Sequence, residues 1–173
     1  MPDRMDGSSS VHASCVALDG AGILIRGASG SGKSTLALLL LDRAALADLP
    51  AGLVGDDRIR LTREGETVVA RPHPALGDRI EVRGLGLMRG TVADASAPLR
   101  LVVDLVETSP RLPASPMASV TVLGLALPGI ILDRAVLQSG LAPRLVLDAL
   151  AECPGVARGT HRPVLTFPPR PGP

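Results

Sequence analysis

Residues 27–35 read GASGSGKST, and the first eight fit the pattern G-x-x-x-x-G-K-[ST]. An apolar run, GILIRG, leads into the stretch. KSTLALLLLDRAALADL follows it, rich in Ala and Leu and free of Gly and Pro. Strand, tight loop and helix in that order form the setting in which glycines turn several backbone N–H groups inward and a helix start adds its partial positive charge. Such a cradle binds phosphate, so Gly27, Ala28, Ser29, Gly30, Ser31, Gly32, Lys33, Ser34 and Thr35 are the expected nucleotide-binding residues. Lys33 is the one lysine among 18 Lys and Arg residues. A compact ammonium reaches the β and γ phosphates where the broad guanidinium fork would not fit the loop. The Ser34 hydroxyl is the matching Mg²⁺ ligand. ATP and Mg²⁺ are therefore the expected cofactors. With no Trp or Tyr to stack on adenine, GTP and pyrophosphate stay open as donors.

The rest of the chain reads as short strands with few helices. HASCVALDGAGILIRG is a hairpin about Asp19-Gly20, a dipeptide suited to the positive φ of tight turns. The stretch 33–49 is a helix, apolar on most of its surface and so expected to be largely buried. AGLVGDDRIRLT is a strand broken at Gly55 and paired with TVVAR, while RIEVRGLGLMRG starts as a strand and becomes a glycine-punctuated loop. LRLVVDLVE is a buried strand, SVTVLGLAL and GIILD are two more, and a last helix spans about 142–152 with Pro143 in its first turn. The expected fold class is α/β: a P-loop nucleotide-binding domain with a mixed, hairpin-rich sheet and few helices. Residues 1–10 are expected to be a flexible leader, 11–152 the catalytic domain, and 153–173 a Pro- and Gly-rich flexible tail.

Composition narrows the function. At 173 residues the chain can bury roughly 70% of its unfolded surface around one aliphatic core. A net charge of +1 and one aromatic residue, Phe167, speak against nucleic acid and anionic membranes as partners. No apolar run approaches the roughly 18 residues of a membrane span, and MPDRMDGSSS is not a secretory signal; a cytoplasmic protein is expected. Cys15 and Cys153 are too few for a disulfide framework or a zinc site, and a buried thiol is expected for Cys15.

LVGDDR carries the next chemical signal. Asp56 and Asp57 follow a strand expected to lie beside the P-loop strand, and adjacent side chains on an extended backbone point to opposite sides. One carboxylate can face Mg²⁺ and the other an incoming hydroxyl, which are the two needs of phosphoryl transfer.

Taken in order, VHAS, GASGSGKS, GDDR and EVRGLGLM resemble VHG, GDSGxGKS, ADDR and EIRGLGI of the HPr kinase/phosphorylase catalytic domain, over roughly residues 11–150. The resemblance implies that Lys33 stabilises the transferring phosphate and that Ser34, Glu81 and Asp57 belong to the metal site. The aspartate pair would activate a seryl hydroxyl of the phosphocarrier protein HPr and serve as acid in the reverse reaction; which member is the base stays open, with Asp57 preferred over Asp56. His12 would sit beside that aspartate and tune it, and Glu81, Val82, Arg83, Gly84, Leu85 and Gly86 would form a catalytic loop. Arg111 would stand near the transferred phosphate, a role for which Arg83 is an alternative. His73 and His161 have no motif around them and are read as surface residues.

The chain departs from long family members, which carry a separate N-terminal domain and a GRN segment. It resembles the short alphaproteobacterial forms, whose phosphotransferase systems are regulatory. The implied function is Mg²⁺-dependent transfer of phosphate from ATP to a serine of HPr, with phosphorolysis of seryl-phosphorylated HPr as a second activity. A small-metabolite P-loop kinase and a non-catalytic nucleotide-responsive regulator are the alternatives, and a homo-oligomer is an open one.

Overall fold

In the computed structural model, which describes residues 8–90, 96–157 and 162–167, the sequence's turn chemistry sets most of the connections. Strand β1 (Ser8–Val11) precedes the hairpin of β2 (Ala13–Leu18) and β3 (Ala21–Gly27). Asp19 and Gly20, with φ of 48° and 77°, close that hairpin with the twist that matches its strands. The glycine-rich loop leads into α1 (Lys33–Leu46), then β4 (Ala51–Gly55), the hairpin β5 (Ile59–Glu64) and β6 (Thr67–Pro72), and a second hairpin, β7 (Arg79–Val82) and β8 (Gly86–Arg89). The long strand β9 (Ala97–Val106), the hairpin β10 (Ala118–Val122) and β11 (Leu125–Asp133), and helices α2 (Arg134–Gln138) and α3 (Ala142–Ala151) complete the described chain.

The main sheet runs β1-β5-β6-β9-β3-β2-β4. β3, β9 and β11 are mutually parallel where they pair, and the other pairings are antiparallel. One edge of β9 is shared: its start pairs with β6 at Val69↔Pro98 and its second half with β11 from Val102 to Val106. Side chains then alternate between two cores. Val16, Leu18, Ile23 and Ile25 face α1 and α3, while Cys15, Ala17 and Leu24 face the layer built by β5, β6 and the β10 hairpin.

Several sequence expectations change here. The strand before the aspartate pair, β4, lies beside β2 and not beside β3. Hairpin pairing gives β2 one edge of β3 and β9 takes the other, so β4 can only add outside β2. It still runs in the same direction as β3, because each of the two is antiparallel to β2, and both end at the same edge of the sheet. Helix α1 buries a single stripe, Lys33, Leu36, Ala37, Leu40 and Ala44, and Leu46 is 76% exposed; with leucines on every side, only the face against the sheet finds a partner.

The stretch 86–89 returns as a strand where a loop was expected, because Gly84 and Gly86 adopt φ of 85° and 88° and reverse the chain. SVTVLGLAL, expected to be one strand, turns back at Leu123-Gly124, with φ of 48° and 77°, and Pro128, expected to separate it from GIILD, stays inside β11 opposite Ser119. Pairing of β11 with β9 begins only at Gly129, so Pro128 has no N–H to supply there. Ser8, Ser9 and Ser10 of the expected leader pair with Thr62, Leu61 and Arg60 on β5. In the expected tail, Cys153 is buried and Val156 and Phe167 pack on the helical core. Val164 and Leu165 donate their N–H groups to the fully buried Asp148 at 3.2 and 2.9 Å. Residues 1–7, 158–161 and 168–173 lie outside the described residues. Among the described residues no helix is long and apolar enough to cross a membrane.

Candidate active site

β3, β9, β11 and β4 all end at one edge of the sheet, and the glycine-rich loop leaves from Gly27 there. Two of its glycines are required by contact. A Cβ on Gly27 would lie 2.9 Å from the carbonyl oxygen of Leu105 on β9, and one on Gly32, whose φ is 99°, would overlap the Leu137 side chain on α2. Gly32 accepts the first helical hydrogen bond from Leu36 N–H, at 2.9 Å, so α1 starts at the loop's end with its N–H groups turned to the mouth. Ala28, Ser29, Gly30 and Thr35 are exposed around it.

Lys33 is 7% exposed, and its Nζ donates to the carbonyls of Gly27 and Ala28 at 3.0 and 2.9 Å. An ammonium has three donors, which leaves one for an acceptor at the mouth. Burial pushes the Lys33 ammonium below its ordinary pKa, against the pull of Asp56 and then Asp57.

The aspartate pair divides between two environments. Asp56 is 6% exposed; both of its oxygens lie 2.9 Å from Ser34 Oγ, Oδ1 also accepts from Ser14 Oγ, and Oδ2 from Glu81 N–H at 3.4 Å. Asp57 turns outward, with a φ of 67°, and its Oδ1 lies 3.1 Å from His12 Nε2. The backbone carbonyl of Asp57 accepts from Ala13 N–H at 3.3 Å, which ties the pair to the start of β2, next to His12. The carboxylate beside Ser34 is thus Asp56, not the Asp57 grouped with it from the sequence.

Ile80, 2% exposed, anchors β7 in the helical core, and the next residue, Glu81, stands exposed beside Asp56. From there Val82, Arg83, Gly84, Leu85 and Gly86 form the hairpin tip, where Leu85 and Leu87 are 72% and 67% exposed. Arg111 is exposed on the loop leaving β9 at the same sheet edge, and no hydrogen bond or ion pair joins it to Lys33 or Asp56 among the described residues. His73 caps a surface turn, its Nδ1 accepting from Ala75 N–H at 3.3 Å; His161 lies outside the described residues.

Sequence reasoning passed over three groups at this edge. Ser14 is fully buried on Asp56. Arg26, just before the loop, pairs with Asp104 of β9 through two 2.7 Å hydrogen bonds, which hold its guanidinium above the ordinary pKa. Asp133 accepts from Ser109 Oγ at 2.8 Å and from Val136 N–H at 3.0 Å, capping α2. Each is a polar residue in an apolar strand or at its end, and that was the available signal.

Among the described residues no cluster of three or more His, Cys, Asp or Glu side chains could hold a metal by itself. Asp56 has no Lys or Arg ion pair among them either. A buried carboxylate of that kind calls for a cation, and Ser34 and Asp56 offer the hard oxygen donors that suit Mg²⁺ when phosphates and water complete its shell.

The family model of the HPr serine kinase C-terminal domain matches residues 3–114. Among curated proteins, the HPr kinase/phosphorylase of Mycoplasma mycoides is 38% identical over 102 residues, covering 56% of this chain and 31% of that protein. The one from Azoarcus sp. is 36% identical over 139 residues, covering 73% and 42%. The chain therefore spans less than half the length of these relatives. The solved structure of the Hpr(Ser) kinase/phosphatase from Coxiella burnetii superposes with a TM-score of 0.66 at 28% identity, covering 80% of this chain and 94% of that one.

Proposed function

This chain belongs to the HPr serine kinase C-terminal domain family, and from that premise we propose that it transfers the γ-phosphate of ATP to a seryl hydroxyl of the phosphocarrier protein HPr. The observation that carries the reading is the division of the aspartate pair at the mouth of the phosphate loop. Asp56 is turned in to Ser34, and Asp57 is turned out to His12 and to solvent.

The loop N–H groups and the start of α1 bind the β and γ phosphates, and Lys33 directs its remaining N–H to the oxygens that gain charge. Ser34 and Asp56, with Glu81 beside them, would hold Mg²⁺, which neutralises phosphate charge when bound. Asp57 accepts the proton of the attacking serine as its Oγ bonds to the γ phosphorus and the bond to the bridging oxygen of the leaving diphosphate breaks. His12 Nε2, 3.1 Å from Asp57, orients that carboxylate and stabilises its charge. In the reverse direction inorganic phosphate attacks the seryl phosphate, Asp57 returns the proton to the serine, and the balanced product is pyrophosphate.

A protein acceptor fits the surroundings better than a small metabolite. Leu85, Leu87 and Met88 are exposed on the hairpin that carries Glu81, and with them stand Arg79, Arg83 and Arg89. Apolar area of this kind next to a site marks a contact surface. The test is transfer of label from γ-labelled ATP, with Mg²⁺, to HPr of the same host and to HPr lacking its acceptor serine. Label in the first only is the expected result. Label in neither, or in a small-molecule fraction instead, would refute the acceptor.

A further inference from the structure

β2 reads ASCVAL, and Ser14 shares the face of Val16 and Leu18 that packs on α1. A hydroxyl in an apolar row costs about 1–3 kcal/mol when it has no partner, so serine is a poor choice there for packing alone. Ser14 is 0% exposed, and its hydroxyl donates to Oδ1 of Asp56. The pairing of β2 with β4 shifts register between Cys15 and Val16: Cys15 faces Gly55 while Val16 faces Leu53. The irregularity leaves Val54 without an opposite residue and brings the end of β4, and with it Asp56, abreast of Ser14. Re-aiming a side chain beside a site is what such bulges do.

The donors on Asp56 differ in kind. Ser34 touches both oxygens, but its hydroxyl is also the group that a bound cation needs as a ligand, and a hydroxyl turned to a cation carries its hydrogen elsewhere. Ser14 on Oδ1 and Glu81 N–H on Oδ2 have no such second task. Together they supply one standing donor to each oxygen and fix the plane of the carboxylate. We infer that Ser14 is a positioning residue for Mg²⁺ binding: its hydroxyl holds Asp56 in place when Ser34 turns to the metal.

The inference rests on the reading of this loop as a Mg²⁺-nucleotide site, and its test needs no HPr. Calorimetry on the full chain would measure affinity for adenylyl imidodiphosphate in Mg²⁺ and in EDTA. Their ratio is the gain that the metal supplies. Ser14→Ala should reduce that gain about tenfold, equivalent to about 1.4 kcal/mol and close to the lower end of what a hydrogen bond to a charged group contributes, with affinity in EDTA unchanged. Ser14→Cys, of nearly the same shape but a weak donor, should show a similar loss, which separates the hydroxyl from the volume. In an Asp56→Asn background Ser14→Ala should add nothing further, since its action passes through Asp56.

A full gain in both Ser14 variants, an equal loss in EDTA, or an undiminished effect on top of Asp56→Asn would each overturn the role of Ser14. A wild-type chain whose nucleotide affinity ignores Mg²⁺ would remove the metal reading and this inference with it. Absence of transfer to HPr, by contrast, would count against the acceptor alone.

Discussion

Replacing Asp57 by asparagine separates chemistry from binding. Asp57 holds a φ of 67°, a region that asparagine adopts readily because its short side chain bonds locally, whereas most residues pay roughly 1–2 kcal/mol there. The substitution therefore keeps the backbone and removes only the charge and the proton-accepting oxygen. Its contact with His12 joins side chains 50% and 65% exposed, and even a charged pair in water contributes only about 0–1 kcal/mol. Thermal unfolding should move by at most about 2–4 °C. Loss of a positioned base costs about 10²–10⁴ in rate, so kcat for transfer to HPr should fall by that factor. Affinity for Mg²⁺-nucleotide should stay within about threefold, because Ser34 and Glu81 N–H both contact Asp56. Steady-state kinetics with calorimetric nucleotide binding would check both halves. An unchanged kcat, or a loss that resides wholly in nucleotide affinity, would refute the division of the pair.

Gly32→Ala sets a Cβ into Leu137 at a φ of 99°; it should lower stability by about 1–3 kcal/mol, seen as a fall in melting temperature, and weaken nucleotide binding in parallel. Asp148→Ala removes the acceptor of the Val164 and Leu165 N–H groups and of Arg144; hydrogen exchange at 164 and 165 should quicken and stability drop by about 1–3 kcal/mol, whereas unchanged exchange would show that other contacts hold the segment. The Asp133 carboxyl is held below its ordinary pKa by Val136 N–H and next by Ser109. Its contribution is then full above that ordinary value and lost as pH falls through the lowered one. Exchange of the α2 amides should rise across that acid window, and Asp133→Ala should flatten the dependence.

What the sequence made legible was local. Asp19-Gly20 announced the first hairpin, Pro143 the start of α3, and the glycines before Lys33 the tight turn into α1, because each choice answers a backbone need within a few residues. Pairing partners were less accessible. Nothing in AGLVG says that β4 must sit outside β2; that follows from which edges of β3 are already taken. Pro128 looked like a strand end, yet its missing N–H falls where β9 has not yet arrived. The 8–10 strand and the contacts of 164–167 depend on distant partners, β5 and Asp148. In the site, the types of the residues were readable and their assignment was not. Asp56 and Asp57 look alike in GDDR, and only the turn at Asp57 and the bulge in β4 decide which meets Ser34. Ser14 was hidden for the same reason, as a serine in an apolar strand points to a partner without naming it.

The catalytic roles proposed for these residues depend on phosphate transfer to a protein serine through this loop. Intact mass of the host's own HPr, after incubation with the chain, ATP and Mg²⁺, measures that directly. One added phosphoryl group is predicted, absent when the acceptor serine is replaced and reduced at least about 10²-fold in rate by Lys33→Ala. HPr of unchanged mass, with nucleotide still bound to the chain, would contradict it.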